Sequence, residues 1–184
     1  MKRNMHGFTI VELMIAIVIL GILMGIGVPA FQSTVKNNRI TSDLNAFVTS
    51  LNQARSEAVK QNQEVVVCTS SNGTSCAGNT NWENGWVVFV DRDNDGVIDD
   101  GDACGPGATD DCIITVQSAL SGAITLRSTG SSISYFGSGS SNGADTFTIC
   151  DDRGADEAKA VIVSSTGRPR TSHKKDDGSA LSCP

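Results

Sequence analysis

After a short basic leader, the chain runs apolar from Phe8 to Ala30, "FTIVELMIAIVILGILMGIGVPA", with Glu12 as the one charge inside it. About 20 apolar residues suffice to cross a bilayer as a helix, so the run predicts a membrane segment. A secretory signal has a shorter apolar core with a small-residue cleavage site after it, whereas the break here lies before the core, at Gly7–Phe8. Past Pro29, a position that predicts a kink, the stretch from Phe31 to Gln61 holds no further Gly or Pro. Its apolar positions Ile40, Leu44, Phe47, Val48, Leu51, Ala54, Ala58 and Val59 follow the i, i+4, i+7 stripe of an amphipathic helix. One helix from Phe8 to Gln61 would be about 80 Å long at 1.5 Å per residue.

From Glu64 the pattern changes to short β-branched and aromatic runs. Those at 64–68, 86–90, 112–117, 123–127, 132–136, 146–150 and 159–165 predict strands, and Gly, Ser, Asn and Asp clusters between them predict turns. One long helix followed by strands predicts an α+β fold, with the amphipathic half of the helix packed on antiparallel sheet. The expected organisation is a leader over 1–7, a membrane or filament-core helix over 8–30 and one globular domain over 31–184. Trp82, Trp86, Tyr135 and Phe136 read as core or disulfide-adjacent residues rather than a base-stacking surface.

Composition changes the picture in two ways. Six cysteines stand at 68, 76, 104, 112, 150 and 183, with no Cys-x-x-Cys pair and too few histidines for a mixed zinc site, so a disulfide framework in an oxidising compartment is expected. Many connectivities are open; proximity in sequence favours Cys68–Cys76 and Cys104–Cys112, which leaves Cys150–Cys183. The net charge of −6 then argues against a general nucleic-acid binder, so any anion site must be local. Lys2 and Arg3 favour a cytoplasmic leader, which puts the C-terminal domain on the outer side with its cysteines.

Gly7-Phe8-Thr9 followed by Glu12 at the head of an apolar helix resembles the type IV pilin and pseudopilin signature. The resemblance implies that a prepilin peptidase cuts after Gly7 and that Phe8 becomes the methylated N-terminus. It implies that Glu12 meets the N-terminal amine of a neighbouring subunit during assembly. Further along, "LNQARSEAVKQNQEVVVC", "WENGWVVFVDRDNDGVIDDGD" and "GRPR" resemble the GspH/FimT group of minor pilins. That implies insertion in the inner membrane, then a place among other pilins in a surface filament.

Two stretches could carry chemistry. In "DRDNDGVIDDGD", Asp91, Asp93, Asp95, Asp99 and Asp102 have the ligand spacing of a calcium-binding EF-hand loop, with Gly96 at its turn. Against this, the loop follows a strand, and Asp at the last position has a short arm; an Asp/Asn/Gly turn uses the same residues. The second stretch is "STGRPRTSHKK". Gly167 permits a sharp turn, and Pro169 pushes Arg168 towards extended backbone. Arg168 and Arg170 would then share a face as two phosphate forks, with Lys174 and Lys175 as added point charges. Gly-Arg-x-Arg near the C-terminus resembles the DNA-binding motif of the FimT branch used in natural transformation. Weak, sequence-independent DNA binding is therefore expected, with no cofactor other than the calcium just considered. The alternatives are a priming subunit of the FimU kind or a type II secretion pseudopilin, in which the tail is solvated or pairs with acids such as Asp176 and Asp177. His173 has no nucleophile pattern around it, so no enzymatic role is expected.

Overall fold

The structure, a computed structural model, describes residues 7–99, 104 and 110–184. It divides into two compact units, one ending at Arg39 and the other running Ile40–Pro184. Helix α1 (Ile10–Gln61) starts in the first and ends in the second. Its N-terminus is closed by a reciprocal cap. The Thr9 amide donates to Glu12 Oε2 at 3.0 Å, and the Glu12 amide donates to Thr9 Oγ1 at 3.2 Å. Within the first unit the large side chains from Ile10 to Phe31 are exposed all round the helix, Ile10 by 79% and Phe31 by 70%. This part of α1 is long and apolar enough to cross a membrane. Pro29 lies inside it.

The second unit holds the core. Ile40, Leu44, Phe47, Leu51, Ala54 and Ala58 are buried at helical spacing, while Val59, expected on the same stripe, is half exposed. Among the described residues eight strands follow: β1 (Glu64–Thr69), β2 (Gly85–Asp91), β3 (Cys112–Ser118), β4 (Thr125–Arg127), β5 (Ser132–Tyr135), β6 (Asp145–Cys150), β7 (Lys159–Val163) and β8 (Pro169–Ser172). Seven coincide with the runs read from the sequence, and β8 is additional. They divide into two four-stranded antiparallel sheets, ordered β3-β2-β1-β5 and β4-β6-β7-β8.

Both sheets bury one face against the α1 stripe. Phe47 is the centre of that core, its ring 5.4 Å from Trp82, 5.0 Å from Trp86 and 4.8 Å from Phe147. The two tryptophan contacts are edge-on and that with Phe147 is tilted; edge-on pairs add about 0.5–1.5 kcal/mol each beyond the area buried. Trp82, Trp86 and Tyr135 are fully buried, so their rings offer no stacking surface. Three disulfides tie the unit: Cys68–Cys76, Cys104–Cys112 and Cys150–Cys183. The last closes 33 residues of separation and joins the end of the chain to β6.

Candidate nucleic-acid interface and acidic loop

The Gly-Arg-x-Arg segment is a β-hairpin, not a free tail. β7 turns at Ser164–Gly167, where the Gly167 amide donates to the Ser164 carbonyl at 2.8 Å, and β8 returns antiparallel with Ile162 opposite Arg170. Gly167 is buried and has φ +75°; a Cβ there would lie 2.2 Å from the Gly139 carbonyl oxygen. That oxygen also accepts a 2.8 Å bond from Arg55 Nε on α1. The glycine expected among the DNA contacts thus has a packing reason for being glycine. It lets the turn seat against the β5–β6 loop, which Arg55 holds from the helix.

Register then decides which cations stand together. Leu126, Phe147, Ile149, Val161 and Val163 face the core, so the alternate positions Arg127, Thr148, Ile162 and Arg170 form the outer face of the second sheet. Arg168, two residues before Arg170, falls on the same side by parity, next to Ser164, whose amide bonds the Arg168 carbonyl. Arg168 is exposed and has no ion-pair partner among the described residues. Arg170 is different: its Nη2 meets Asp176 Oδ1, both side chains more than half exposed. Lys174 is exposed and Lys175 half-buried, in a second small hairpin where Lys174 bridges Ala180 and the Lys175 amide donates to Ser179 at 3.0 Å. Leu181 is buried behind it on Cys150, Ala158, Ala160 and Ile162, and Cys183 is bonded to Cys150. A groove of about 460 Å³ on the outer face is lined by Arg127, Thr146, Thr148, Ile162, Lys175 and Asp176 among others. The arrangement offers an anion two exposed cations, Arg168 and Lys174, that have no ion-pair partner among the described residues and stand on a rigid edge.

The acidic loop gathers a different set from the one its spacing predicts. Carboxylate oxygens of Asp91, Asp93, Asp95 and Asp111 lie within 4.8 Å of one another. Asp99 is outside this group and contributes its amide, 3.4 Å from Asp111 Oδ2, while Asp102 falls outside the described residues. The reason is sheet register. Pairing of Val90 with Cys112 brings Asp111 beside Asp91 across the β2–β3 ladder, a contact that no loop-spacing rule contains. Asp91 and Asp111 are almost fully buried and hold the loop by their oxygens: Asn94 and Gly96 amides donate to Asp91 at 2.7 and 3.0 Å, and the Arg92 amide donates to Asp111 at 2.8 Å. Burial pushes the Asp91 carboxyl up, with Asp111 and Glu64 adding to it, against the two amide bonds. Four hard oxygen donors around one point fit calcium in chemistry.

At the other end, Phe8 is 87% exposed just ahead of the capped helix start, and Gly7 precedes it without regular structure.

The comparisons with known proteins agree with this anatomy. A model of the prokaryotic N-terminal methylation motif matches residues 2–28, the segment that carries the leader and the start of the apolar helix. A model described as type II transport protein GspH matches residues 43–167, well over half of the chain. The chain belongs to the GspH family. Among solved structures, the Pseudomonas aeruginosa type IV minor pilin FimU is similar at 20% identity and TM-score 0.54, covering 84% of this chain and 99% of that one. The Vibrio cholerae type 2 secretion minor pseudopilin EpsH aligns at 12% identity and TM-score 0.47, over 73% of this chain and 96% of that one. At such identities the FimU likeness concerns the fold. A search of curated proteins finds no match.

Proposed function

We propose that this chain is a minor pilin that is cut after Gly7, assembles with other pilins through its apolar helix and Glu12, and grips extracellular DNA with the β7–β8 hairpin. The observation that carries the DNA reading is Arg168, exposed and unpaired among the described residues, two positions from Arg170 on a hairpin fixed at both ends. Rigid presentation matters because ordering a flexible basic tail would consume much of what each phosphate contact gains. The contacts are to backbone phosphate, without a groove-reading helix, so binding is weak and indifferent to sequence.

The test is a salt titration of DNA binding by the full chain in detergent, wild type against Arg168→Gln/Arg170→Gln. If Arg168, Arg170, Lys174 and Lys175 all reach phosphates, log affinity should fall with log salt at a slope of about −3 to −4, from an affinity on the order of micromolar or weaker. The double variant should lose about half of that slope. Equal binding by both proteins, or none at low salt, sinks the DNA reading and leaves a structural pilus or pseudopilus subunit. Two observations favour that second reading: the net charge of −6, and the carboxylate already seated on Arg170. In cells, loss of transformation with piliation intact in the double variant separates the two.

Calcium in the β2–β3 loop belongs to the same proposal. Asp91 and Asp111 are like charges held together in near-complete burial, a cost that a divalent cation would offset. Saturating calcium should raise the melting temperature of the wild-type chain, and Asp93→Asn/Asp95→Asn should abolish that rise. No rise at millimolar calcium would leave a plain Asp/Gly turn.

A further inference from the structure

Of Arg168, Arg170, Lys174 and Lys175, Arg170 is the one that forms an ion pair among the described residues. Asp176 sits in the turn Lys175–Gly178, closed by the Gly178 amide on the Lys175 carbonyl and by the Lys175 amide on the Ser179 carbonyl, each at 3.0 Å. Both arms of that turn are anchored. One arm leaves β8, and the other passes through buried Leu181 to the Cys150–Cys183 disulfide. The Asp176 carboxylate is thereby held against Arg170 Nη2. The adjacent Asp177 does something else. Hydrogen bonds from the Ser179 hydroxyl and amide hold its carboxyl below the usual range, the amide donating to its Oδ1 at 2.8 Å.

We propose that Asp176 is a selectivity clamp on the DNA grip, a reading that rests on the proposal of DNA binding above. It fills the phosphate position on Arg170 with a tethered carboxylate. A lone phosphate must displace an anion that is already in place and cannot diffuse away. A polyanion that first engages Arg168 and Lys174 presents its next phosphate at high effective concentration, and the carboxylate yields. Solvent exposure of the pair, 53% for Arg170 and 66% for Asp176, keeps the clamp weak enough to open. Arg170 is thus withheld from small anions and released to a chain of phosphates.

The experiment uses the full chain in detergent, a short DNA duplex as probe and inorganic phosphate as competitor. Asp176→Asn should tighten duplex binding by about two- to fivefold and leave the log–log salt slope unchanged, because the carboxylate yields to DNA and Arg170 reaches a phosphate in both proteins. It should also make inorganic phosphate a better competitor than chloride at matched ionic strength, which wild type should not show. Asp177→Asn removes the same charge one residue away and should change affinity less than about twofold. The gain should vanish in Asp176→Asn/Arg170→Gln. An Asp176→Asn affinity equal to wild type, an equal gain from Asp177→Asn, or a gain that survives loss of Arg170 would overturn the clamp while leaving DNA binding standing. Absence of duplex binding in every protein of the series would instead remove the DNA reading itself.

Discussion

At the scale of single residues, Gly167 shows how a motif can be legible while its reason is not. The sequence marks it as a turn glycine at the head of Gly-Arg-x-Arg. The structure adds a second demand, since the missing Cβ is the space filled by the Gly139 carbonyl. Gly178 supplies the comparison, with φ +83° and nothing within 4 Å of the point a Cβ would occupy. Gly178→Ala should cost only the left-handed backbone penalty, about 1–2 kcal/mol. Gly167→Ala should cost about 2–4 kcal/mol, because the β5–β6 loop must also move off the Arg55 bond. Chemical denaturation of the two variants measures the difference, and equal losses would mean that the Gly139 contact is soft. Asp111 is the opposite case. It stands far from Asp91 in sequence, and only strand register makes it part of the carboxylate group. Spacing rules reach a ligand within a loop, not one delivered by the neighbouring strand.

At the scale of elements, hydrophobic period was enough to find α1 and seven of the eight strands, because each of those segments buries a face in the core. β8 escaped for a physical reason. Pro169-Arg170-Thr171-Ser172 has no apolar alternation, because β8 is an edge strand that packs little and is held by its hydrogen bonds to β7. Proline and charge are also what protect an edge from pairing with other chains. The division into two sheets was likewise hidden, since nothing local to a strand says which neighbour it takes. What the cysteines could say was limited to proximity, and the Cys150–Cys183 pair has the largest mechanical effect. Closing a loop of 33 residues is worth about 3–4 kcal/mol in the chain-entropy account. Here that stabilisation falls on the segment carrying Lys174, Lys175 and Asp176, so the fold itself orders those charges.

At the scale of the whole molecule, the two units answer to different solvents. Among the described residues, every buried apolar side chain of the core lies at Ile40 or beyond, and the large apolar side chains before it are exposed. In water such a helix would aggregate, so its exposure is stable only in lipid or against other apolar helices. Removing residues 1–39 should therefore cost the core nothing. The chain starting at Ile40 should be soluble without detergent and unfold cooperatively, with a stability within about 0.5 kcal/mol of the full chain in detergent. Arg168, Arg170, Lys174 and Lys175 all lie in the retained unit, so its DNA salt slope should match the full chain's. The full chain, expressed in cells, should stay in the membrane fraction after an alkaline wash, and the shortened one should not. A shortened chain that is molten or insoluble would show that the first turns of α1 support the core after all. A shortened chain that folds but loses DNA binding would place part of the grip on the helix rather than on the hairpin.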